Sequence, residues 1–65
     1  MATERQVNYA LALMAKAGYS TEWMRSEHKA LGATMRERTG RVSDWLARMS
    51  GPRISRLIDD LKSQV

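Results

Sequence analysis

The residues best suited to chemistry in this chain are arginines concentrated in its middle. The 65 residues carry 11 Lys+Arg against 7 Asp+Glu, a net charge of +4. Residues 25–56 alone have a net charge of +5, so the basic excess is local. Because a guanidinium group offers a planar fork of donors that suits phosphate, this pattern favours an anionic partner.

Six of these arginines are candidates for contact with the phosphate backbone of DNA or RNA. They are Arg36, Arg38, Arg41, Arg48, Arg53 and Arg56. Contacts of this kind weaken as salt rises and carry little sequence specificity. Arginine-rich coding in a high-GC genome is an equally plain explanation. So are solvated helix faces, in which Arg56 pairs with Asp60 and Arg48 pairs with Asp44 at helical spacing.

No arrangement of side chains predicts catalysis or a cofactor. Ser26 and His28 lie two residues apart, so they do not face each other on a helix. Asp59 and Asp60 are adjacent and diverge by about 100° around a helix axis. The chain has no cysteine and one histidine, which excludes the usual zinc sites. We therefore expect no enzyme, no cofactor, no metal and no small-molecule substrate, with His28 as a half-buried spacer.

A second candidate surface combines aromatic and methionine side chains. Tyr19, Trp23, Met24 and Met35 could contact a partner, because such side chains are adaptable and give large contact areas. The function that this surface would serve is protein interaction, either as a homodimer or as a small effector that binds a host protein. The sequence leaves this alternative open beside binding of DNA or RNA.

The elements that must position these side chains are helices. Thr3 and Gln6 have the spacing of a capping box, and Gly18 supplies a left-handed stop. Apolar residues recur at helical intervals in four segments, at about 4–17, 21–31, 42–49 and 52–63. Ser20 or Thr21 can cap the second of these helices, and Pro52 fits the first turn of the fourth. No segment shows the alternation of a strand. The sequence predicts an all-α fold, a compact bundle of three to four short helices.

Residues 32–41 are the exception to this pattern. They contain two glycines, three arginines and one large apolar residue, Met35. Thr34 and Glu37 again have capping-box spacing, so we expect a loop with one helical turn inside it. The expected core residues are Leu11, Met14, Trp45, Leu46, Ile54, Leu57, Ile58 and Leu61.

The length and termini indicate one small domain spanning residues 1–65. A chain of this size buries only about 60% of the surface that its unfolded form exposes, so its core is marginal. No segment approaches the ~20 apolar residues of a membrane helix, and the N-terminus lacks the apolar centre of a signal peptide. The absence of cysteine fits a reducing compartment, so we expect a cytoplasmic protein with no membrane partner.

Both ends of the chain resemble small helical modules of phage and mobile-element proteins. The stretch "ATERQVNYALALMAKAGY" resembles their A-T-x-x-Q opening, and "MSGPRISRLIDDLK" resembles their closing helix. The matching residues are Ala2, Thr3 and Gln6 at the opening and Ser55, Ile58 and Leu61 at the close. The resemblance implies a helical fold, an actinobacterial high-GC host and association with DNA-processing proteins. Residues 19–45 depart from the pattern.

Overall fold

The protein is an all-α bundle. The structure, a computed structural model, describes residues 1–65. Helix α1 spans Glu4–Ala17, a 3₁₀ helix spans Ser26–Leu31, α2 spans Val42–Ala47 and α3 spans Gly51–Gln64. α1 packs against both α3 and α2. We call residues 18–41, which connect α1 to α2, the middle segment.

Helix α1 begins and ends at the residues that the sequence predicts. The Thr3 backbone N–H donates to Gln6 Oε1 at 3.0 Å, and the Gln6 N–H donates to Thr3 Oγ1 at 3.2 Å. This capping box pairs two amide groups that a helix start otherwise leaves free. At the other end Gly18 has a φ of 89°, where its N–H bonds back to Ala15. Glycine adopts this left-handed conformation without steric cost.

The predicted helix at 21–31 is wrong in its first half. Residues 21–25 are not helical, and Trp23 instead forms an isolated antiparallel bridge with Arg41. The Met24 N–H donates to Gly40 O at 2.9 Å, and the Val42 N–H donates to Glu22 O at 3.0 Å. These long-range bonds hold the backbone extended. Helical structure starts only at Ser26, so neither Ser20 nor Thr21 caps a helix.

Helices α2 and α3 follow the predicted positions with small shifts. α2 ends at Ala47, two residues before the predicted end. α3 begins at Gly51 because the Ser50 side chain caps it, its hydroxyl accepting from the Arg53 N–H at 3.3 Å. Gly51 is therefore helical, although a following proline generally disfavours this geometry. Pro52 lies within the first turn, where its missing N–H costs no hydrogen bond.

The core consists of thirteen buried apolar residues drawn mostly from the three α-helices. They are Ala10, Leu13, Met14, Met24, Ala33, Val42, Trp45, Leu46, Met49, Ile54, Leu57, Ile58 and Leu61. Seven of the eight predicted core residues belong to this set. Leu11 does not, and packs against the core from its edge. Leu13 takes the buried position on α1 instead.

His28 is the one buried polar residue, where the sequence predicted a half-buried one. Its Nε2 lies 2.9 Å from the Ser20 carbonyl oxygen, and its Nδ1 accepts from the Arg25 N–H at 2.9 Å. Since a carbonyl oxygen only accepts, Nε2 carries a proton and donates it to Ser20. The ring also contacts Trp45 edge-on, with centroids 6.2 Å apart. His28 thus fixes two turns of the middle segment to the core.

Candidate nucleic-acid interface

Three of the six candidate arginines meet at one cleft between the middle segment and α2. The cavity has a volume of about 120 Å³ and is lined mainly by polar residues. We call it the arginine cleft, and its lining residues are Arg36, Glu37, Thr39, Gly40, Arg41, Asp44, Trp45 and Arg48. A water molecule needs only about 10–15 Å³ of such a cavity, so a phosphate group has room there.

The guanidinium groups of the arginine cleft are free of ion pairs. The structure has one salt bridge, and it joins Arg53 to Glu37. Arg36, Arg41 and Arg48 therefore have no carboxylate partner, although Asp44 lines the same cleft. The pairing of Arg48 with Asp44 and of Arg56 with Asp60, which helical spacing suggested, does not occur. Unpaired arginines around a concave surface leave their donors available to an anion.

Glu37 fixes the position of the loop that carries Arg36. Its carboxylate accepts from the Thr34 N–H at 3.0 Å and from Trp45 Nε1 at 3.2 Å. The Glu37 N–H in turn donates to Thr34 Oγ1 at 3.3 Å, which completes the predicted capping box around a single turn at residues 35–37. The Glu37 side chain therefore holds the loop to α2, in addition to the local capping role that its spacing from Thr34 predicts.

Arg53 completes the surroundings of Glu37. Its two terminal nitrogens lie 3.3 and 3.4 Å from the carboxylate oxygens of Glu37, which joins α3 to the middle segment. These contacts lower the pKa of Glu37 from 4.5 to about 2, first because the Thr34 N–H donates to the carboxylate and then because Arg53 does. The Glu37 carboxylate is therefore ionised at neutral pH. Arg53 acts within the fold and does not line the arginine cleft.

The remaining candidate arginines lie elsewhere. Arg56 lines a separate groove with Arg53, along the first half of α3 and beside the 3₁₀ helix, with a volume of about 480 Å³. Arg38 is half-buried and lines neither cavity. The six predicted residues thus do not form one surface, and only Arg36, Arg41 and Arg48 converge.

Trp23, predicted to be part of the partner surface, lies instead at the side of the arginine cleft. Half of its side chain is exposed, and the Arg41 guanidinium carbon lies 4.9 Å from its ring centroid. The backbone bridge between the same two residues keeps them side by side. No local pattern reveals this pairing, because the two residues are 18 positions apart in the chain.

The predicted partner surface does not exist as one patch of exposed residues. Met24 is buried in the core, which excludes it from an exposed contact surface. Tyr19 is half-buried, and its hydroxyl donates to Gln64 Oε1 at 2.8 Å. Met35 is 80% exposed on the turn that precedes Arg36. Only Trp23 and Met35 of the four predicted residues present large exposed apolar groups.

His, Cys, Asp and Glu side chains form no group of three or more that could hold a metal ion. None of the helices combines the length and apolarity needed to cross a membrane.

Comparison with known proteins finds no matching family model, no matching curated protein and no matching solved structure.

Proposed function

We propose that this chain binds nucleic acid, DNA or RNA, through phosphate contacts in the arginine cleft. The observation that supports this proposal is the convergence of Arg36, Arg41 and Arg48, none of which has a carboxylate partner, on one cavity. A phosphate oxygen would accept hydrogen bonds from these donors, and each contact would release counterions from the nucleic acid. Specificity for base sequence is not expected.

The salt dependence of binding follows from the number of arginines in the cleft. Three phosphate contacts to a single strand give a slope of about −2 for the logarithm of the binding constant against the logarithm of salt concentration. Raising salt from about 50 to 200 mM should then weaken binding roughly twentyfold. The other charges of the chain add a smaller, diffuse attraction.

The test is a comparison of two variants of equal charge by fluorescence polarisation. The cleft variant replaces Arg36, Arg41 and Arg48 with glutamine. The control variant replaces three exposed residues outside the cleft, also with glutamine: Arg5, Lys16 and Lys29. Both lose three positive charges. The cleft variant should lose the salt-dependent binding and the control should retain most of it, since bound phosphate requires convergent donors.

Two results would contradict the proposal. One is that the unmodified chain binds neither single- nor double-stranded probes at low salt. The other is that the two variants lose equal affinity, which would show that only net charge matters. Circular dichroism of each variant provides the control for folding.

The proposed role is non-enzymatic and needs no cofactor. In support, both ring nitrogens of His28 are occupied by backbone groups in the core, so this histidine has no free donor or acceptor for a substrate. A cytoplasmic location and an origin in a phage or mobile element of a high-GC host belong to the same proposal. The latter depends on the resemblance of the two ends of the chain to such modules.

The alternative function is protein interaction, as a homodimer or with a host protein. It is favoured by the exposure of Trp23 and Met35, since large exposed apolar side chains often mark contact surfaces. Sedimentation measures the dimer directly. Binding to a protein through Trp23 should resist salt, whereas binding to phosphate should not.

A further inference from the structure

We infer that Trp23 is a stacking site for a nucleotide base and that the cleft therefore prefers single-stranded nucleic acid over duplex. This inference rests on the proposed function, because it needs a phosphate in the arginine cleft. The base would stack on Trp23 while its phosphate contacts the arginines of the cleft, so the ligand would be bound by two different kinds of contact.

The position of Trp23 is fixed by the backbone. Two hydrogen bonds flank it, Met24 N–H to Gly40 O and Val42 N–H to Glu22 O, and they attach this extended backbone to the start of α2. Arg41 belongs to that bridge, lines the cleft and lies 4.9 Å from the Trp23 ring. A nucleotide whose phosphate contacts Arg41 thus has its base within reach of Trp23.

The exposed surface of Trp23 has the properties that base stacking requires. Half of the side chain remains in solvent, although burying an indole would stabilise so small a domain. Every base has an aromatic face, so stacking tolerates any sequence. In a duplex those faces are already stacked on neighbouring bases, and exposing one costs free energy. A single strand offers them freely.

A second cation–aromatic pair in the same molecule provides the matched comparison. Tyr9 is 44% exposed, and Lys62 Nζ lies 5.4 Å from its ring centroid. Neither residue lines a cavity. Tyr9 therefore has an exposed ring with a nearby cation but no phosphate site next to it.

The experiment measures the affinity of Trp23→Ala, Trp23→Phe and Tyr9→Ala for three probes by fluorescence polarisation. The probes are a short oligothymidine, an abasic oligomer of the same length, and a duplex. We expect Trp23→Ala to weaken oligothymidine binding roughly tenfold and to change the other two affinities by less than about twofold. Trp23→Phe should restore most of the loss, and Tyr9→Ala should change nothing.

Two outcomes overturn the inference while leaving the proposed function intact. Equal binding of oligothymidine and the abasic oligomer by the unmodified chain would show that no base is stacked. An equal loss on all three probes in Trp23→Ala would show that the indole only positions Arg41. If the unmodified chain binds none of the probes at low salt, the proposed function fails and this inference fails with it. Melting curves of each variant show whether a loss reflects unfolding.

Discussion

The three α-helices and the middle segment are stabilised in different ways. α1, α2 and α3 supply most of the thirteen core residues, whereas the middle segment supplies only Met24 and Ala33. The middle segment is held instead by polar contacts of His28 and Glu37 and by the backbone bridge at Trp23. Hydrogen bonds are directional, so they can fix a loop where apolar contacts would allow it to slide. This loop carries Arg36 and Arg41.

The largest effect should come from a cavity in the helical core. Leu46 is fully buried on α2, and Leu46→Ala should lower the free energy of unfolding by about 3 kcal/mol. A domain of this size has only about 3–10 kcal/mol in total, so this loss would be a large share of its stability. Denaturant titration followed by circular dichroism measures the change. Leu11→Ala, at the edge of the core, provides the control and should cost clearly less. Equal losses would mean that the core has no distinct centre.

A smaller and more local effect should come from the middle segment. His28→Leu preserves bulk but leaves the Arg25 N–H and the Ser20 carbonyl without partners, at a cost of about 2 kcal/mol. Hydrogen exchange should show faster opening at Met24 and Val42 than in α1, because local unfolding is confined to weakly packed regions.

The matched variant for this test is His28→Asn. Its amide oxygen can accept from the Arg25 N–H as Nδ1 does, so it should retain part of the lost stability. If His28→Leu instead accelerates exchange equally in all three helices, the middle segment is not a separate unit and the comparison fails.

The smallest effect should appear as a pH dependence. The pKa of Glu37 is about 2 in the folded chain and 4.5 ordinarily, so the unfolded chain binds this proton more readily. Ionised Glu37 therefore stabilises the folded chain fully above about pH 5, and this stabilisation is lost as pH falls towards about 2. Because the pair with Arg53 is partly in solvent, we expect no more than about 1 kcal/mol. The free energy of unfolding, measured between about pH 5 and pH 2, should fall less steeply in Glu37→Gln than in the unmodified chain. An unchanged acid titration in that variant would mean that other carboxylates cause the pH dependence.

Local signals predicted the helices but not the middle segment. α1 and α3 have caps and long apolar faces within their own sequences, and their predicted bounds agree with the structure to within one residue. The pattern of Met24, His28 and Leu31 has helical spacing, yet Met24 reaches the core from extended backbone. The bridge to Arg41 competes with the helix there, and its partner is remote in the chain.

The candidate site was likewise predicted only in part. The sequence predicted every arginine of the cleft as a phosphate contact, because residue type alone suggests phosphate binding. It did not separate Arg36, Arg41 and Arg48 from Arg53, whose partner Glu37 is 16 residues away. Nor did it place Trp23 beside Arg41. Such groupings depend on how distant segments pack, which local periodicity does not encode.

The exposure of Met35 has a practical consequence. Because the chain contains no cysteine, Met35→Cys would introduce its only thiol, next to Arg36 at the edge of the arginine cleft. A maleimide fluorophore would then attach at one known position without disturbing the core. Its emission would report entry of a ligand into the cleft directly, with no label on the ligand itself.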